Sequence, residues 1–159
     1  MRSRFGTLLA ETMIRDSRVW CLTGDLGFGV LNQAREMCPE RALNVGAAEQ
    51  LMLGAAVGLS HRGKIALCYS ITPFVIYRPY EWLRNYLNHE GAPVKLVGTG
   101  RDDEYGHLGF SHWAVDDETA LKAFPRIKIY KPETTEELES IWEEFLYNDQ
   151  PCYLNVKRS

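Results

Sequence analysis

Short apolar runs rich in β-branched residues take turns along this chain with segments whose apolar positions recur every three or four residues, and few folds accommodate that alternation. The first class comprises VWCLT, ALNV, KIALCYS, PVKLVGT, RIKIY and CYLNV. The second opens with Phe5, Leu8, Leu9, Thr12 and Met13, a helix expected to end near Asp16, and a short helix reaching about Met37 follows the first strand. It continues with AAEQLMLGAAVGLSH, PFVIYRPYEWLRNYLNH, a helix over Asp116 to Ala123, and TTEELESIWEEFLYN. Helical periodicity and strand runs at this spacing predict βα units. KIALCY, PVKLVG and CYLNV are nearly continuous in apolar residues, as strands buried on both faces require. The expected architecture is an α/β fold, a doubly wound and mostly parallel sheet with helices on both faces.

With 159 residues, 45% of them hydrophobic, the chain is sized for one domain with a proper core, so residues 1–159 are expected to form a single unit. Its net charge of −3, with Lys and Arg dispersed, carries no footprint for nucleic acid or an anionic membrane surface. Cys21, Cys38, Cys68 and Cys152 form no CxxC pair and have no His at metal-ligand spacing. Three of them lie within apolar runs, which suits reduced core thiols. Acidic residues interrupt the amino-terminal MRSRFGTLLAETMIRD where a signal peptide needs an apolar run, and no stretch approaches the length of a membrane span. A cytoplasmic protein is the expectation.

In open parallel sheets, ligands bind beyond the carboxyl ends of the strands. Here those positions belong to GDLGFG, the turn before Glu49, SITPF, and the loop from Thr99 to Trp113, which are also the most polar and glycine-rich segments. That coincidence locates a site without naming its ligand.

Three of these segments resemble, in order, the pyrimidine-binding domain of transketolases and deoxyxylulose-phosphate synthases. NVGAAEQLMLGAAVGLSHRGK is similar to the family's small-residue pair, Glu-Gln and small-residue helix; YSITPFVIYRPYEWLRN to its Phe-containing segment; and YGHLGFSHWAVDDETALKAFPRIKIYKPETTEEL to its Gly-x-Thr-His loop, acidic helix start and proline-flanked strand. The resemblance implies thiamine diphosphate as cofactor. That cofactor reacts at its thiazolium ring, whose proton is removed by its own aminopyrimidine, and a family Glu assists by hydrogen-bonding a pyrimidine nitrogen.

Glu49 matches that Glu. Set among Ala47, Ala48, Leu51, Met52 and Leu53, its carboxyl is expected to be desolvated, which favours the protonated form. Read by itself, it is equally an acid in a helix's first turn, favoured by the dipole. Phe74 matches the residue that stacks on the pyrimidine, a flat surface for a heteroaromatic face; by itself it also reads as core. Tyr69 and Tyr77 are candidates to line the same pocket. Arg78, Glu81 and Arg84 fall at i, i+3 and i+6, suited to ion pairs along one helix face or to a partner chain. His112 falls at the Thr-His position, with Ser111 in place of Thr, and the resemblance places it beside the donor substrate as a proton shuttle or hydrogen-bond donor. Phe110 departs from the family pattern there. His107 and Arg101, the latter near a phosphate-contacting Arg of deoxyxylulose-phosphate synthases, are substrate candidates, with loop capping or surface exposure the alternative. Asp25 in GDLGFG resembles a cofactor-approaching Asp of transketolases, or is a turn-capping Asp.

The family's second half-site is a different matter. There the diphosphate is held through a metal by Gly-Asp-Gly and a later Asn, and GDLGFG with Asn44 has neither the glycine nor the spacing. No metal ligand is therefore expected from this chain. The resemblance implies a separate diphosphate-binding subunit holding Mg2+, in a heterodimer or heterotetramer, with a keto donor and an aldehyde acceptor as small-molecule substrates. Gly54 and Gly58 give the helix after Glu49 a smooth face for that partner or for its own sheet. The expected function is a transferase subunit of a split transketolase-like enzyme; the alternative is a non-catalytic subunit that stabilises a partner. GDLGFG matches neither a P-loop nor a dinucleotide fingerprint.

Overall fold

The computed structural model describes residues 1–158. Its strands are β1 (Val19–Thr23), β2 (Ala42–Asn44), β3 (Ile65–Ile71), β4 (Lys95–Thr99), β5 (Lys128–Tyr130) and β6 (Cys152–Val156). They form one six-stranded sheet in the order β2-β1-β3-β4-β6-β5. Every pairing within it is parallel, in agreement with the near-continuous apolar runs.

The helices are α1 (Arg2–Arg15), α2 (Asn32–Met37), α3 (Glu49–His61), α4 (Thr72–Tyr77), α5 (Tyr80–Trp82), α6 (Asp117–Leu121) and α7 (Thr135–Tyr147). Side chains of α1, α2 and α7, among them Phe5, Leu9, Ala34, Trp142 and Phe145, bury one face of the sheet. Met52, Leu53, Ile76, Leu83 and Leu121, from α3 to α6, bury the other. Alternation within a strand divides the two cores: Tyr69 joins the first and Cys68 the second. All four cysteines are buried and free.

One expected helix is broken. PFVIYRPYEWLRNYLNH forms α4, a break at Arg78 and Pro79, the single turn α5, and a π-helical stretch over Leu83–Glu90 that ends at Gly91 in the left-handed region. Pro79 has no N–H to continue the ladder of α4, and the chain restarts after it. Arg78, Glu81 and Arg84 therefore do not share one helical face as the spacing alone predicts.

From β1 the chain moves outward to β2, then returns to the other side of β1 as β3. The reversal opens a crevice at the carboxyl ends of β1 and β3, the place where open sheets of this kind bind ligands.

Candidate functional site

Four segments meet at that crevice. Gly24 follows β1 directly, and a side-chain carbon built there would stand 3.0 Å from Glu49 Oε1. The absence of a side chain at 24 is what lets the loop backbone lie against the carboxylate. The next residue, Asp25, has φ of 58°. Its backbone N–H donates to Asn44 Oδ1 at 2.9 Å, and Asn44 Nδ2 donates back to the Asp25 carboxylate at 3.1 Å. Asn44 Oδ1 also accepts from Gly46 N–H at 3.0 Å. Asp25 and Asn44 thus tie the loop after β1 to the turn that leads into α3, and Asp25 is exposed at the rim of the crevice.

Glu49 is the first residue of α3 and is 2% exposed. Its setting differs from the apolar one expected of its neighbours in sequence. Successive helical residues turn through about 100°, so Met52 and Leu53 point into the core while Leu51 is 61% exposed. What surrounds the carboxylate is polar. Arg78 Nη1 donates to both oxygens at 2.9 Å, and Ser70 Oγ lies 3.4 Å from Oε1. The carboxyl is buried, as its flanking residues led one to expect, but it stands as one member of an ion pair rather than in a purely apolar setting.

Phe74 sits in α4, just beyond β3, where Thr72 and Pro73 set the first turn. The Arg78 guanidinium carbon lies 3.6 Å from the centroid of its ring, one helical turn on. His112 approaches the same ring edge-on, with centroids 4.9 Å apart. Its Nδ1 is 3.0 Å from Ser111 Oγ, so the hydroxyl retained at 111 orients the imidazole. Glu49, Phe74, Arg78 and His112, from three separate segments, thus form one contiguous group. Spacing alone offers Arg78 only as a surface or interface cation; the signal that could have found it is its position one turn after Phe74.

Other candidates lie elsewhere. Tyr69 points to the opposite face of the sheet, stacked on Phe5 at 5.5 Å, because strand neighbours alternate and Ser70 takes the Glu49 side. Burial pushes its phenol up to about 12. Tyr77 is 40% exposed, and partial burial, followed by the Asp116 carboxylate, drives its phenol upward. His107 is exposed on a separate tight turn, Gly106–Leu108.

Arg101 is the clearest departure. It is 4% exposed, and its guanidinium donates to Asn155 Oδ1, Glu133 Oε1, and the carbonyls of Pro132 and Asn155 at 2.8 to 3.0 Å. Four of its five N–H groups are taken by partners within the fold, so Arg101 serves as a structural cation. The network runs on through Asn155 Nδ2 to Asp117 Oδ2 (3.0 Å) and the Tyr153 hydroxyl (2.8 Å), and Tyr153 donates to Asp117 at 2.7 Å. Arg101 and Asp117 stand at the two ends of the loop that carries His112, and the network pins both to β6. Gly54, one of the two glycines of α3, packs on Trp82 of this chain, where a side-chain carbon would come within 2.9 Å of the indole; Gly58 faces open space.

Among the described residues no three His, Cys, Asp or Glu side chains converge on a point that could hold a metal, and no helix is long and apolar enough to cross a membrane.

The arrangement suits a flat, nitrogen-rich ring. An aromatic face with a buried carboxylate beside it already accepts one planar N–H-bearing group, the guanidinium of Arg78. Comparison with known proteins identifies the family. Residues 1–159 match the family described as transketolase, pyrimidine binding domain. The chain is 28% identical over 159 residues to the 6-deoxy-6-sulfo-D-fructose transketolase subunit SqwH of Clostridium sp. (strain MSTE9), covering 99% of this chain and 49% of that one. It is 32% identical over 118 residues to one subunit of the apulose-4-phosphate transketolase of Actinobacillus succinogenes, covering 74% of this chain and 38% of that one. Among solved structures, a split gene transketolase described as an inactive beta4 tetramer superposes with a TM-score of 0.85 at 26% identity, over 99% of this chain and 51% of the other. The transketolase of Leishmania mexicana, at 21% identity and a TM-score of 0.85 over 98% of this chain and 25% of the other, shares the fold. The chain spans about half the length, or less, of the curated relatives it matches. It belongs to the transketolase pyrimidine-binding domain family.

Proposed function

We propose that this chain is the pyrimidine-binding part of a split thiamine-diphosphate transketolase and that Glu49 assists the cofactor. The observation that carries the reading is the pairing of a buried carboxylate with an aromatic face, joined by a planar donor group that touches both. When bound, thiamine diphosphate supplies a nucleophilic carbon for two-carbon ketol or acyl transfer from a keto donor to an aldehyde acceptor. Phe74 would offer its face to the aminopyrimidine and set the plane of that ring. Glu49, shielded by Gly24 and Ser70, would hydrogen-bond a pyrimidine nitrogen through its carboxyl and so assist the ring's amino group as a base. His112, beside Phe74 and bonded to Ser111, would face the substrate and could pass a proton to or from a substrate oxygen. Asp25, at the rim, flanks the opening.

The diphosphate and its Mg2+ are assigned to a second subunit in a heterodimer or heterotetramer. Two of the relatives are themselves designated subunits of transketolases, and the related split transketolase is described as inactive in its beta-only tetramer. The same assignment fits a cytoplasmic protein with four buried free thiols.

The test is reconstitution. The chain is purified with the diphosphate-binding partner, supplied with thiamine diphosphate and Mg2+, and assayed for donor cleavage and ketol transfer as wild type and Glu49→Gln. Replacing the carboxyl by an amide should lower turnover by about a hundredfold or more. Equal activity of the two proteins would sink the role given to Glu49.

A further inference from the structure

The side chain that joins Glu49 to Phe74 belongs to the protein itself. Arg78 meets both requirements of the proposed seat at once: its guanidinium carbon is 3.6 Å from the Phe74 ring centroid, and Nη1 reaches both Glu49 oxygens at 2.9 Å. A planar ring stacked on Phe74 and hydrogen-bonded to Glu49 would occupy the same volume. Two groups do not share one aromatic face.

We propose that Arg78 is an internal stand-in for the aminopyrimidine, a gate that closes the seat in the free chain and must swing out before the cofactor ring can enter. This rests on the reading of Glu49 and Phe74 as the pyrimidine seat and adds what guards it.

Three features make the side chain suited to leave. It is the exposed member of the pair, with 43% of its side chain in solvent against 1% for Glu49, so the guanidinium moves outward into water. Its backbone is held independently: the Arg78 carbonyl accepts from Gln50 Nε2 at 3.3 Å, and Pro79 follows. Release therefore needs only rotation of a flexible stem, with no rearrangement of α4. Lastly, the closed form satisfies the buried carboxylate, which would otherwise stand without a strong partner in the free chain. The gate thus protects the seat when it holds no ring and competes with the ring when one arrives. Apparent affinity is reduced by the fraction of time the seat is open.

The probe that isolates this effect is the pyrimidine fragment 4-amino-5-hydroxymethyl-2-methylpyrimidine. It lacks the diphosphate, so no lost contact between arginine and phosphate confuses the result. Its binding is titrated into the full chain by NMR, in wild type, Arg78→Ala and Arg78→Lys, with the Arg78 Nε signal followed in wild type. The expected outcome is roughly fivefold or greater tightening in Arg78→Ala, a smaller gain in Arg78→Lys, and a shift of the Arg78 Nε signal toward that of a solvated arginine on saturation. Methylguanidinium added to Arg78→Ala should refill the slot and weaken fragment binding competitively. Should Arg78→Ala fold poorly, the lysine variant and the wild-type Nε signal still decide. Equal affinity in all three chains with an unmoved Nε signal overturns the gate and leaves the seat standing. No binding to any of them up to millimolar concentration overturns the seat, and the gate with it.

Discussion

Two buried ionic clusters lie at the carboxyl edge of the same sheet, and they are built on opposite principles. Around Asn155, the Arg101 guanidinium, the Asp117 carboxylate and the Tyr153 hydroxyl find their partners within the fold, and all four residues are nearly or fully buried. At Glu49 a buried carboxylate relies on one strong partner, and that partner is nearly half in solvent. A network closed on itself has nothing to offer a ligand and serves as framework, here fastening both ends of the loop that carries His112. A pair with one removable member is open to exchange. Charge and burial are alike in the two; what separates site from scaffold is whether the last partner can leave.

That contrast is most exposed at Asn155. Asn155→Leu removes an acceptor from Arg101 and donors to Asp117 and Tyr153 together, so we expect a loss of about 3 kcal/mol, read as a lowered denaturation midpoint with an unchanged slope. A loss below about 1 kcal/mol would mean that water or repacking replaces these bonds and that the network is not closed.

The open pair should respond asymmetrically. Arg78→Met strands a buried carboxylate and should cost about 2 kcal/mol near neutral pH, whereas Glu49→Gln frees an arginine that is already half in water and should cost less than about 1 kcal/mol. Equal costs from chemical denaturation of the two variants would show that both members are framework, as at Asn155.

A smaller signature lies at high pH. Burial, reinforced by the charge of Asp117, pushes the Tyr153 phenol well above its ordinary value of 10.0. Because the folded value is the higher one, the unfolded chain gives up this proton first. Tyr153 therefore contributes its full stabilisation below pH 10 and loses it progressively above, by at most about 1.4 kcal/mol per pH unit. Tyr153→Phe, less stable at neutral pH, should show a shallower alkaline decline than wild type; parallel curves would exclude Tyr153 as a source of the slope.

Much of the architecture was legible because it rests on local rules. CYLNV and VWCLT are strands at the residues expected, and the helices over TTEELESIWEEFLYN and after Glu49 follow their apolar period. The helix expected through Pro79 is the instructive failure: its apolar spacing carried across the break, while the missing N–H of one residue divided it into α4 and α5.

For the site, the sequence by itself determined which segments reach the carboxyl edge, since strand runs followed by polar, glycine-bearing turns can end nowhere else in a parallel sheet, and its motifs singled out Glu49, Phe74 and His112. Only the tertiary structure decided which side chains meet. It placed Tyr69 on the far face, committed Arg101 to Asn155 and Glu133, and set Arg78 between Glu49 and Phe74. The physical reason is range. Period and propensity act over a few residues, but a charge takes its partner from whatever the packed fold brings within about 3 Å, and residues 49 and 78, or 101 and 155, become neighbours only after the sheet has closed.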